Sequence, residues 1–150
     1  MHVVIATDGS KQSLAAAKHL MSFADPDKIE AVSVVGVISP YASVAFADEI
    51  SGGPRDRSFR EAAEDAVRTV AEALDGWGPK VQRKLRSGSP ANEIVKAAKA
   101  VSAGLVVVAS GSRGLSDTVL LGSTAQRVQH SAPCPVLVVR PAPRKRATKK

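Results

Sequence analysis

Four short runs rich in β-branched residues, at residues 3–7, 31–38, 105–109 and 136–140, are too apolar to be solvated on either side. A strand of that kind needs cover on both faces. A parallel sheet flanked by helices supplies it, and an open antiparallel hairpin does not. The segments between the runs have the right pattern to be that cover. Residues 13–23 carry Leu14, Ala17, Leu20 and Met21 at helical spacing, and residues 59–74 carry Ala63, Ala66, Val67, Val70 and Leu74 on one face. A fifth run, residues 81–85, is short and charged and reads as a strand near a sheet edge.

Turn and cap chemistry sets the boundaries. Asp8-Gly9-Ser10 is a turn with cap residues, Asp25-Pro26-Asp27 stops the first helix, and Pro40 closes the second strand. Residues 41–57, which include Ser51-Gly52-Gly53-Pro54, are weakly patterned and read as a loop. Gly76-Trp77-Gly78-Pro79 ends the second helix. Ser89 is a natural N-cap, with Pro90 at the first helical position and Glu93 in the first turn of a helix over residues 91–103 that Gly104 ends. A last helix is expected over residues 123–131, capped by Ser123, before Pro133-Cys134-Pro135. The order β-α-β-α-β-α-β-α-β, with no internal repeat, predicts an α/β fold. It is a doubly wound five-stranded parallel sheet with helices on both faces and right-handed crossovers.

The length of 150 residues suits one core, so a single domain over residues 1–140 is expected. The net charge of +7 is concentrated: Arg140, Arg144, Lys145, Arg146, Lys149 and Lys150 supply six positive charges, leaving residues 1–139 nearly neutral. Residues 141–150 read as a disordered basic tail, able to give weak, nonspecific nucleic-acid contact. No aromatic residue interleaves with its cations, so base stacking is not suggested. No apolar run reaches the roughly 18 residues of a membrane span. The start has no basic n-region or cleavage site, so no signal peptide is expected. One cysteine rules out an intrachain disulfide and a cysteine zinc site, and a cytoplasmic location is the expectation.

Ligands of such sheets bind beyond the carboxyl ends of the strands, where the winding reverses. The turns after the first and fourth strands therefore matter most. The first is Thr7-Asp8-Gly9-Ser10, and the second is Ser110-Gly111-Ser112-Arg113-Gly114, followed by Gly122-Ser123-Thr124. Gly111 and Gly114 suit a backbone cradle for an anion, and the helix start offers N–H groups and hydroxyls. Asp8 either orders its turn or serves a ligand, by accepting from ribose hydroxyls or by binding Mg²⁺ through water. Arg113 and Arg127 are candidate phosphate partners or plain surface arginines. A Walker A loop is absent, since no lysine lies between Gly104 and Pro135. The dinucleotide glycine pattern and a nucleophile elbow are also absent. His2, His19 and His130 have no ligand-spaced partners, and Cys134 reads as a packed free thiol. Only Asp8 and Asp117 are candidate metal carboxylates, and no general base is evident.

With these residues in place the chain resembles the universal stress protein family from residue 3 to residue 140. The resemblance is carried by Val4-Ile5-Ala6-Thr7-Asp8-Gly9-Ser10, Gly111-Ser112-Arg113-Gly114, Leu120-Leu121-Gly122-Ser123 and Ala132-Pro133-Cys134-Pro135-Val136-Leu137-Val138-Val139. It implies an adenine nucleotide alpha hydrolase-like fold with strand order 3-2-1-4-5, and a homodimer through the last strand, from Val136 to Arg140. It also implies an adenine nucleotide, ATP, AMP or cyclic AMP, with or without Mg²⁺. Position by position, the implied site is Ala6, Thr7, Asp8, Val37, Gly111, Arg113, Gly114, Gly122, Ser123 and Thr124. The function implied is a stress-response regulator acting as a ligand-dependent switch. It is not expected to be an enzyme, with slow ATP hydrolysis left open. One departure stands out. Seven residues, 115–121, separate Gly114 from Gly122 where the family pattern has nine, which removes up to about 7 Å of reach. The alternative function is a nucleotide-free dimeric interaction protein whose pocket is closed by that shorter loop.

Overall fold

β1 (His2–Thr7), β2 (Ala31–Ile38), β3 (Lys80–Ser87), β4 (Leu105–Ala109) and β5 (Val136–Val139) form one sheet in a computed structural model, which describes residues 1–38, 55–111 and 122–141. All pairings are parallel and the order is β3-β2-β1-β4-β5. The helices among the described residues are α1 (Lys11–Phe23), α2 (Arg55–Ala73), α3 (Pro90–Ala100) and α4 (Ser123–Ser131). None of them is long and apolar enough to cross a membrane.

The pleat of each strand divides its side chains between two cores. On one face Val3, Ile5, Val32, Val34 and Val107 meet Leu20 of α1, Val67 and Val70 of α2, and Leu74 just after α2. On the other face Val4, Val35, Val106 and Val108 meet Ile94 and Ala98 of α3 and Ala125 and Val128 of α4. Val3, Val4 and Ile5 of β1 are fully buried, which explains why that run is continuously apolar. Each such side chain contributes about 1.5–3 kcal/mol.

Several boundaries differ from the sequence reading. α1 begins at Lys11, two residues early, because the Ser10 hydroxyl accepts from Ser13 N (3.1 Å) and caps it. α2 begins at Arg55, so the loop expected over residues 41–57 ends sooner; the rest of that segment lies outside the described residues. β3 extends to eight residues because it pairs with β2 along its whole length. α3 stops at Ala100, ahead of Gly104. Ser102 takes φ 50, and Ala103 N donates back to Ala98 O (2.9 Å), closing the last turn. The basic tail from residue 142 lies outside the described residues.

A glycine inside β2 sets the distance between sheet and helix. A Cβ added at Gly36 would sit 2.8 Å from Val67 Cγ2 and 3.4 Å from Ala63 O of α2. Gly36→Ala is therefore expected to destabilise the protein by about 1–3 kcal/mol in urea denaturation. The cost should shrink in a Val67→Ala background, where the obstructing methyl is gone. Equal costs in the two backgrounds would show that the contact does not set the stability.

Candidate functional site

β1 pairs with β2 as far as Thr7↔Gly36, but with β4 only as far as Ile5↔Val107. Beyond that point β4 stays with β5, ending at Ala109↔Val139. The two central strands part, and a cleft of ≈ 650 Å³ opens at their carboxyl ends, where the winding of the sheet reverses. Its volume is that of a small-molecule site. Ala6, Val35, Val37, Pro90, Ile94 and Val108 supply apolar surface, and Asp8, Ser10, Ser110, Ser123 and Thr124 supply polar groups.

The β1–α1 turn is satisfied internally. Asp8 Oδ1 accepts from Ser10 N (2.9 Å), Thr7 Oγ1 accepts from Gly9 N (3.2 Å), and the Thr7 and Ser13 hydroxyls meet at 2.8 Å. Gly9 takes φ +85, a conformation glycine adopts without strain. Asp8 thus orders its turn with one oxygen while the side chain remains exposed at the cleft. Both readings of Asp8 are geometrically compatible.

The start of α4 is built differently. Its N-cap is Gly122, at φ −66 and ψ 157, with no side-chain cap bond. The Gly122 carbonyl accepts from Gln126 N (3.0 Å), so Ser123 is already helical. The expected Ser123 cap is therefore corrected to Gly122, a residue with no side chain to cap with. The first N–H groups of α4 lack intrahelical partners, and the helix dipole adds partial positive charge there. Gly122 N donates to Ser110 O, and Ser110 N donates to Val139 O (3.0 Å). A Cβ at Gly122 would come within 3.3 Å of Ser110 O and 3.5 Å of Gly111 Cα. Ser110 is fully buried, and its Oγ is the one buried side-chain polar atom without a hydrogen-bond partner among the described residues. An unsatisfied hydroxyl at the wall of a cleft fits a polar ligand.

The described part of the cleft is poor in cations. Among the described cleft residues the only charged side chain is Asp8. Arg127 lies instead on a separate groove between α3 and α4, with Asn92, Gln126 and His130. Its candidacy as a phosphate partner in this cleft is not supported by that placement. Glu93 turns away from the cleft to Arg86 (2.9 Å) and Lys96 (3.4 Å). The hydrogen bond from Arg86 holds its carboxyl below the usual range. Burial pushes the Cys134 thiol above its usual range. The described residues contain no cluster of three metal-ligating side chains.

Ala6, Thr7, Asp8, Val37, Gly111, Gly122, Ser123 and Thr124, proposed from sequence, all line this one cleft. Arg113, Gly114, Asp117 and the spacer 115–121 lie outside the described residues. Ser10 and Ser110 stand in the two sequence-marked turns with no ligand role assigned to them, and Val35 and Ile94 are absent from the sequence-derived site. Ser110 stands immediately after β4 as Asp8 stands immediately after β1, and that equivalence is the signal that points to it.

A parallel sheet ordered 3-2-1-4-5, with helix N-termini around a cleft at its switch point, defines an α/β fold of the nucleotide-binding type. The universal stress protein family model matches residues 1–140. Universal stress protein MJ0531 of Methanocaldococcus jannaschii is 37% identical over 139 residues, covering 92% of this chain and 81% of the relative. The solved structure of hypothetical protein MJ0577 matches with a TM-score of 0.76 at 27% identity, over 93% of this chain and 95% of that one. A universal stress protein solved in complex with cAMP matches with a TM-score of 0.57 at 25% identity, over 93% and 96%. The chain belongs to the universal stress protein family.

Removing a buried hydroxyl that has no partner relieves its desolvation penalty. Ser110→Ala is expected to leave thermal stability unchanged or raise it by up to about 1 kcal/mol. A clear fall in Tm of the ligand-free protein would show that Ser110 Oγ already serves the fold.

Proposed function

We propose that the cleft binds an adenine nucleotide and that the protein is a dimeric stress-response regulator switched by that ligand. The observation that carries this reading is the Gly122-capped start of α4 beside the unpartnered Ser110 hydroxyl. Together they place helix N–H donors and a buried, unpartnered hydroxyl beside a cleft with no described cation. Ala6, Val37 and Ile94 suit a base, Asp8 suits ribose hydroxyls, and Ser123 and Thr124 suit a phosphate at the positive end of α4. The universal stress protein solved with cAMP supports the choice of ligand class. The reading is of a binding switch rather than a hydrolase, because no general base accompanies Asp8 among the described cleft residues.

Helix dipoles alone are a weak counter-charge for several phosphates. Nucleotides with one phosphate should bind without Mg²⁺, whereas ATP should gain affinity when Mg²⁺ is added. Isothermal titration with cAMP, AMP and ATP tests this. Ala6→Leu, which fills the cleft, should weaken binding at least about tenfold, a loss of ~1.4 kcal/mol. No heat from any adenine nucleotide at millimolar concentration would end the reading in favour of a nucleotide-free interaction protein.

The dimer rests on β5. Pro135 O and Val139 O accept from Val106 N and Ser110 N (both 3.0 Å), so the alternate backbone groups, at Val136 and Val138, face away from β4. All four β5 residues are half-buried and apolar, an edge that favours pairing with a copy. Val138→Pro removes an outward N–H and no bond to β4. It should keep the melting transition while shifting sedimentation from dimer to monomer. A monomeric parent protein, or a dimer that survives the substitution, would place the interface elsewhere.

A further inference from the structure

The opposite edge of the sheet has contrary chemistry. β3 places Lys80, Arg83, Lys84 and Arg86 in eight residues, while residues 1–139 as a whole are nearly neutral, so the remainder of that span is net acidic. Arg86 is paired with Glu93. Lys80, Arg83 and Lys84 are exposed, and no carboxylate lies within ion-pair distance of them among the described residues. We propose that the outer edge of β3 is a docking site for an acidic, extended polypeptide segment that adds to the sheet as a further strand.

The backbone is arranged for it. Lys80 N donates to Glu30 O (3.2 Å) and Gly88 N donates to Ile38 O (3.0 Å). In a parallel ladder alternate residues bond to the same neighbour, so the even-numbered residues of β3 face β2. The N–H and C=O groups of Val81, Arg83 and Leu85 point outward, and no described strand lies beyond them. Such a row is the template that strand addition uses. Val81 and Leu85 are half-buried against the α1–α2 core and flank Arg83, giving the added strand alternating apolar and cationic contacts. Charge selects the partner. Two β3 edges brought together would set cation against cation, which disfavours self-pairing. Carboxylates on an added strand reverse the sign of that interaction. A polypeptide fits better than a nucleic acid, because the open ladder matches a peptide backbone and β3 carries no aromatic side chain for base stacking.

The test uses the full chain and three fluorescein-labelled probes at low ionic strength. They are a ten-residue peptide alternating Glu and Val, a peptide of equal charge with Pro in place of Val, and a twelve-nucleotide single-stranded DNA. Anisotropy should show the Glu–Val peptide binding and losing at least about tenfold in affinity to the double substitution Arg83→Glu and Lys84→Glu. The Pro peptide, which cannot extend a ladder, should show no loss on that substitution. Amide hydrogen exchange on the unsubstituted protein should show Arg83 and Leu85 protected by the Glu–Val peptide, a readout independent of how the variant folds. Unprotected amides, equal binding of the Pro peptide at β3, or DNA binding that is tighter and lost with the same substitutions would overturn the proposal.

Discussion

The parting of β1 from β4 after Ile5 and Val107 is the constraint on which the site depends. β1 is held by neighbours on both sides, and its side chains at Val3, Val4 and Ile5 are fully buried on both faces. The strand therefore cannot shift without moving every buried residue to the wrong face. Because the strands are parallel, each helix must start at the carboxyl edge. α1 and α4 begin on either side of the parting, and α3 contributes Pro90 and Ile94. The cleft is what remains where backbone pairing at the centre of the sheet stops while pairing on either side continues.

The fold was legible because burial on two faces leaves a plain mark. Continuous β-branched runs such as 105–109 suit a strand covered on both faces, and its bounds coincide with the observed strand. β3 was harder to delimit. At a sheet edge only part of each residue is covered, so Lys80, Arg86 and Ser87 join the strand without an apolar signal. The start of α2 was hidden by Arg55-Asp56-Arg57, whose charges carry no periodicity. Gly36 showed no sign in sequence of its purpose, which is defined by a methyl of Val67 thirty-one residues later.

The site was legible at its turns and not on its walls. Asp8 and Gly111 follow strands and Gly122 precedes a helix, and turn and cap chemistry makes them conspicuous. Val35 and Ile94 line the cleft with residues indistinguishable from core. Ser123 looked like a cap because serine so often is one. The geometry gives that place to Gly122, and the exchange has a consequence: a serine cap would consume a donor that the glycine leaves available.

Ser110 joins features that are separate in sequence. Its carbonyl holds the N–H of Gly122, its N–H is held by Val139 at the edge strand, and its hydroxyl stands unpartnered at the cleft. One residue therefore ties the start of α4, the end of β4 and the apolar edge β5. The backbone of Ser110 is thus held by β5 through its N–H and holds the start of α4 through its carbonyl. Packed elements around Ser110 leave little room for graded adjustment, because Val106, Val107 and Val108 fix the strand just before it.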